Sequence, residues 1–239
     1  ATNPEQKALK ATVEAGVKNL NGGDPIIDDE HPSLSWLAPL SLRFGDYWQI
    51  HISASNDFIY TDGWTRNFGG QKKVIQHFER TETPRRLSPV NLYYHFYSGD
   101  YQDGIDALAT ACDYALKHQT ALLFASQYVS IVEDFLATRI GSRPDGGWEI
   151  YNSGALRTVR FDGTTRVPDL ERSQGVLGYA RVNESLYVHL DEGKKHEIYL
   201  TPDLPRRPHL RSATHYVEAW QGAGARISFQ ARGLGPARF

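Results

Sequence analysis

The apolar pattern changes character at one place, Gly141-Ser142-Arg143-Pro144-Asp145-Gly146-Gly147, and this constrains the fold more than any other feature. Before it, helix-period and strand-like runs alternate, which predicts a mainly parallel sheet with helices outside. After it come only short strand-like runs: 148–151, 156–161, 176–182, 186–190, 197–200, 215–220 and 227–231. Gly, Pro, Asn and Asp punctuate them, as in an antiparallel β-sandwich. The expected organisation is therefore an α/β domain over 1–140 and a β-sandwich domain over 141–239.

The chain is long enough for this. Its 239 residues suit one large or two modest domains, at roughly 100–200 residues each. A net charge of −2, with no separate Lys/Arg block, gives no reason to expect a nucleic-acid partner. No apolar run approaches the roughly 20 residues of a membrane span. The single cysteine, Cys112, excludes an internal disulfide and falls on the apolar stripe of a helix, Ile105, Leu108, Ala109, Cys112 and Leu116, as a packing thiol. The chain has no methionine and starts at Ala1, which predicts a removed leader or a piece of a longer protein.

Within the α/β part, Asn3-Pro4 opens a helix whose Leu9 and Val13 share a face, and Gly16 can end it with a left-handed residue. Val17 to Leu20 reads as a strand and Asn21-Gly22-Gly23-Asp24-Pro25 as a sharp polar turn at its tip. Residues 25–46 read as irregular, 47–54 as a strand, 55–70 as a polar loop and 71–80 as a helix. Pro89-Val90-Asn91-Leu92-Tyr93-Tyr94-His95-Phe96-Tyr97 reads as an interior strand, apolar on both faces. Ala121 to Ala125 reads as a last strand, and Ser126 caps a helix packed through Tyr128, Ile131, Val132 and Phe135.

His95 stands near the carboxyl end of its strand, where open α/β sheets place their chemistry. An imidazole there can act as general acid or base, with a carboxylate beside it to orient the ring. A packed core histidine fits the same pattern. Asp28-Asp29-Glu30-His31 resembles a metal cluster, but four consecutive residues on an extended chain point in alternating directions, so a solvated loop is expected. His51 is expected to be structural. His77, His118, His189 and His196 are expected at the surface.

Several spaced motifs then agree. They are Lys18 to Asp24, His31-Pro32-Ser33-Leu34, Asp46-Tyr47-Trp48-Gln49, Ile59 to Trp64, Asn91 to Ser98 and Phe124 to Tyr128. Together they resemble the NodB-like polysaccharide deacetylase module of proteins that process the Pel exopolysaccharide of biofilms. The resemblance implies the later part of a deformed (β/α) barrel followed by the β-sandwich domain. It implies a metal-dependent carbohydrate esterase, a hydrolase acting on the amide C–N bonds of an amino-sugar polymer rich in N-acetylgalactosamine. His95 matches the late histidine that serves as general acid, and Asp24 the carboxylate that orients it. Asn21, Tyr60, Trp64 and Tyr97 would contact substrate.

A divalent metal, zinc first among candidates, is implied, but the metal-binding Asp and paired His motifs are missing from this chain. Its ligands are expected upstream, in a missing N-terminal part of the barrel or in another protein of the exopolysaccharide machinery. The implied compartment is periplasmic or secreted. A glycan-binding or assembly module without catalysis, and a glycosidase using Asp24 with Asp57 or Asp62, are the alternatives. Trp148, Tyr179, Tyr187 and Trp220 are possible sugar platforms in the β region.

Overall fold

A computed structural model describes residues 4–239 except 24–26, 54, 57–59, 62–66, 84–85, 119 and 224. The chain is a mixed helix-and-strand protein of several small sheets, forming two compact units, Ala1–Thr120 and Ala121–Phe239.

The first unit opens with α1 (Gln6–Glu14), which buries Leu9 and is followed by Gly16 at φ +68°. The predicted strand before the Asn-Gly-Gly turn lies a few residues later. Asn21-Gly22-Gly23 is itself β1, paired in parallel with His51–Ser53 of β3 (Tyr47–Ser53). Local turn preference is overridden there by a ladder partner thirty residues away. β2 (Ser41–Phe44), inside the stretch expected to be irregular, pairs antiparallel with β3. Gly45 and Asp46 make a two-residue hairpin loop with Gly45 at φ +63°. β4 (Ser55–Asn56) pairs in parallel with β5 (Leu92–Tyr93) in a separate two-stranded ladder.

The long interior strand expected around His95 is a correction. Only Leu92 and Tyr93 join a ladder, and a 3-10 turn covers Phe96–Asp100. Tyr93, Tyr94 and Phe96 are exposed, so the run is not buried on both faces.

A second 3-10 turn (Phe68–Lys73) leads into α2 (Val74–Arg80), whose Val74 and Phe78 join Tyr60 and Ala111 in the core of this unit. α3 (Gln102–Lys117) supplies Ala111 but turns a different face inward than its apolar stripe suggests. Gly104, Ala107 and Ala111 are buried, whereas Ile105, Leu116 and Cys112 are exposed. The reason is distance: a Cβ at Gly104 would lie 2.2 Å from the Ser98 carbonyl oxygen. Only the small-residue face lets the helix approach the Phe96–Asp100 turn so closely.

In the second unit, the segment expected to be a strand, 121–124, is outside any ladder and leads into α4 (Ala125–Ala137). Gln127 reaches back to accept from the Phe124 N–H at 2.8 Å, closing the first turn. The Gly-rich stretch after α4 is a hairpin turn. β6 (Arg139–Ser142) pairs with β7 (Trp148–Tyr151), which pairs with β12 (Lys195–Ile198). Gly146 takes φ +86°, and Arg143 N–H donates to the Gly147 carbonyl at 2.8 Å. β8 (Thr158–Phe161), β11 (Ser185–Leu190) and β10 (Val176–Val182) form a second antiparallel sheet. Leu186, Val188 and Leu190 alternate inward along β11 and meet Ile150 and Ile198 of the other sheet in one core. Two antiparallel pairs complete the unit: β9 (Val167–Pro168) with β13 (Leu200–Thr201), and β14 (Tyr216–Ala223) with β15 (Arg226–Arg232).

One buried carboxylate ties α4 to these sheets. Asp134, 2% exposed, accepts from the backbone N–H groups of Ser153, Ala155 and Leu156. Burial alone would push its pKa up; the bonds from Leu156, Ser153 and Ala155 outweigh that and hold it below the usual carboxylate range. Asp134→Ala would leave three partly buried hydrogen bonds from backbone amides unmade. Urea unfolding should show a loss of about 3 kcal/mol, with Asp134→Asn losing less because it keeps one acceptor oxygen.

Candidate functional site

The first unit holds two parallel ladders. Within each ladder the two strands run the same way, β1 with β3 and β4 with β5. The carboxyl ends of parallel strands are where such arrangements gather ligands and reactive groups. His95 follows β5 directly, as the residue capping the Phe96–Asp100 turn, and its carbonyl accepts from Ser98 N–H at 3.0 Å.

The half-buried His95 ring lies between aromatic partners. It stacks on Tyr97 with ring centres 4.8 Å apart and planes 13° apart, and meets Tyr93 edge-on at 5.3 Å. Tyr97 meets Phe68 edge-on, and Phe68 stacks on Tyr101 at 4.2 Å. Phe96, next to His95, is 93% exposed, and Tyr94 is exposed with it. A group of exposed rings beside a titratable imidazole is an unusual surface for a polar solvent to face, and such patches mark contact sites.

The structure places the other expected site residues unevenly. Asn21 is half-buried at the start of β1, opposite His51. Asp24 and Trp64 lie outside the described residues, as do Asp57 and Asp62. Tyr60 is a core residue packed with Val74 and Phe78, so its ring is not at a groove surface. Its buried hydroxyl has no hydrogen-bond partner among the described residues, and burial, with Asp28 adding, pushes its pKa up. Tyr97 supports His95 through ring stacking rather than standing alone.

Two residues not expected to matter hold the surface in place. Gln71 is buried and donates from Nε2 to the Tyr93 carbonyl at 2.9 Å, fixing the end of β5. His77 is fully buried, not at the surface as expected. Its Nδ1 accepts from Ile27 N–H at 3.2 Å, so the proton sits on Nε2, which donates to Ser88 Oγ at 3.2 Å. One imidazole thus ties the chain leaving the tip of β1 to the chain entering β5. The signal available for it was only a His-Phe pair on a helix beside Val74, which does not separate a buried ring from an exposed one.

The Asp28–His31 stretch is a turn rather than a metal site. Asp28 Oδ1 accepts from Glu30 N–H and His31 N–H at 2.9 and 2.7 Å and meets His31 Nδ1 at 2.9 Å. Burial would raise the Asp28 pKa, but the His31 bonds and charge outweigh it and lower it. Asp29 pairs with Arg80, and Glu30 lies 4.0 Å from Lys73. Among the described residues no three His, Cys, Asp or Glu side chains group as metal ligands, so the residues here do not fit a metal centre.

In the second unit His196 is likewise buried rather than exposed, with Nε2 3.1 Å from Asp191. Among the described residues no helix is long and apolar enough to cross a membrane. No family model, curated protein or solved structure matches the chain.

His77 sets a pH dependence. Burial, with Arg86 adding and Asp28 opposing, pushes its pKa down to about 4 from 6.5. The unfolded chain therefore binds this proton first as pH falls, so the contribution is whole above pH 6.5 and is lost on acidification towards 4. Between pH 7 and 4.5 the loss is about 2–3 kcal/mol. In His77→Gln, urea unfolding at those two pH values should show a pH-linked loss smaller by that amount.

Proposed function

We propose that this chain forms part of a carbohydrate esterase that removes N-acetyl groups from a secreted amino-sugar polymer, of the kind the Pel-type resemblance implies. Residues 1–140 are then the later part of a NodB-type barrel and residues 141–239 an antiparallel β-sandwich. The observation that carries the reading is the position of His95, immediately after a parallel strand and framed by Tyr93, Tyr97 and exposed Phe96. Aromatic faces suit the C–H faces of sugar rings, and an imidazole can hold and give up a proton.

In this reading water has added to the acetyl carbonyl carbon, and as that tetrahedral adduct collapses to acetate the amide C–N bond breaks and His95, as imidazolium, gives its proton to the sugar nitrogen, so the amine leaves neutral. Tyr97 keeps the ring plane fixed through stacking, and Tyr94 and Phe96 hold the sugar. Asp24 orients the imidazole. The implied divalent metal, zinc first, takes its ligands from outside this chain. The polymer, a periplasmic or secreted setting and the upstream barrel strands or partner protein belong to the same proposal.

The exposed rings favour a second reading, a glycan-binding module without chemistry. Acetate release by the whole enzyme from N-acetylgalactosamine oligomers separates the two. His95→Ala should lower kcat by about 10²–10⁴-fold, with the circular dichroism spectrum unchanged. Phe96→Ala should raise KM and spare kcat. Full acetate release by His95→Ala would remove the catalytic role, and glycan binding without acetate release by the wild type would leave the module.

A further inference from the structure

The second unit contains a cavity of about 340 Å³ that the esterase reading does not use. Trp220, Gln221, Asp191, Glu192 and Arg207 line it. Its wall is a bulge in β14, where the register on β15 shifts between Glu218 and Gln221. Ala219, at the bulge, takes φ +50°. A side chain in that left-handed region costs about 1–2 kcal/mol, and strain of this kind persists where surrounding contacts enforce it. Here Glu192 enforces it: its Oε1 accepts from Ala219 N–H at 2.9 Å. The kink presents Trp220 and Gln221 together at the cavity. Phe229 backs the indole, stacked at 5.6 Å with planes 19° apart, so the platform is rigid.

The charges around the cavity are unequal. Arg207 is engaged by Glu171 at 3.6 Å and by the Leu170 carbonyl. Glu192 is engaged by Arg157 at 3.6 Å. Asp191 uses Oδ1 for Gly193 N–H and His196 Nε2, leaving Oδ2 without a hydrogen bond among the described residues. The His196 bond, then the Gly193 bond, hold the Asp191 carboxyl below its usual range against burial, so it is ionised. An aromatic platform, a neutral amide and one free carboxylate oxygen are the donor set for a sugar ring bearing a cation.

We propose that this cavity is a saccharide subsite for an amino sugar with a free ammonium group. Trp220 stacks on the ring, Gln221 bonds its hydroxyls and Asp191 takes the ammonium. The ligand class is that of a de-N-acetylated polymer, and the subsite needs no acetate release to be observed.

The test is titration calorimetry of the chain with oligomers of galactosamine and, separately, of N-acetylgalactosamine, at a pH where the amine is protonated. The free-amine oligomer should bind about tenfold more tightly or better, and more weakly as salt rises. Trp220→Ala should weaken binding at least about tenfold. Exposed Gln221→Ala, which leaves the cavity frame untouched, should weaken it in the same direction. Asp191→Asn should abolish the preference between the two oligomers. Absence of binding by the wild type, equal binding of both oligomers, or wild-type affinity in both Trp220→Ala and Gln221→Ala would each overturn the proposal.

Discussion

Two very short parallel ladders organise the first unit: Asn21–Gly23 on His51–Ser53, and Ser55–Asn56 on Leu92–Tyr93. Ladders of two or three residues cannot hold themselves in water. They persist because the segment from Phe68 to Arg80 is fastened to them. Gln71 holds the Tyr93 carbonyl, His77 bridges Ile27 to Ser88, and Arg80 holds Asp29. α3 closes the arrangement from the other side by bringing Gly104 against the Ser98 carbonyl. The position of His95 follows from these fastenings: it leaves β5 where Gln71 fixes it and enters a turn that α3 braces.

The elements legible in the sequence are those whose own periodicity decides them. The strands 148–151, 176–182 and 186–190, and the helices 74–80 and 102–117, come from clear alternation or helical spacing. What was not legible depends on a distant partner. Asn-Gly-Gly has the composition of a turn and becomes a strand because β3 lies beside it. The Gly-rich stretch after Ile140 has the composition of a linker or of a tight turn alike, and it is a tight turn because β7 returns along β6. The inward face of α3 is set by how near the backbone must come, so Gly104 and Ala107 outrank Ile105 and Leu116.

The placement of His95 in the chain was legible in one respect. A histidine after a β-branched and aromatic run, followed by a helix, marks a strand end, and His95 stands just beyond one. The length of that strand was overread, because aromatic residues favour strands and also favour exposed contact surfaces. The burial of His77 and His196 was not legible, since each is kept inside by a hydrogen-bond partner remote or indirect in sequence: Ile27 and Ser88 for one, Asp191 for the other. The two units differ in what holds them. The first relies on side-chain bridges between short ladders, whereas the second has alternating sheets with a shared aliphatic core and one carboxylate, Asp134, securing its helix.

The central claim is that His95 and its neighbouring rings meet a sugar. The most direct measurement is nuclear magnetic resonance of protein labelled in histidine and aromatic side chains, titrated with N-acetylgalactosamine oligomers. The account predicts that the ring signals of His95, Tyr94 and Phe96 move together and saturably, while that of buried His77 stays still. Saturable binding that shifts other signals and leaves the His95 ring unmoved would contradict it.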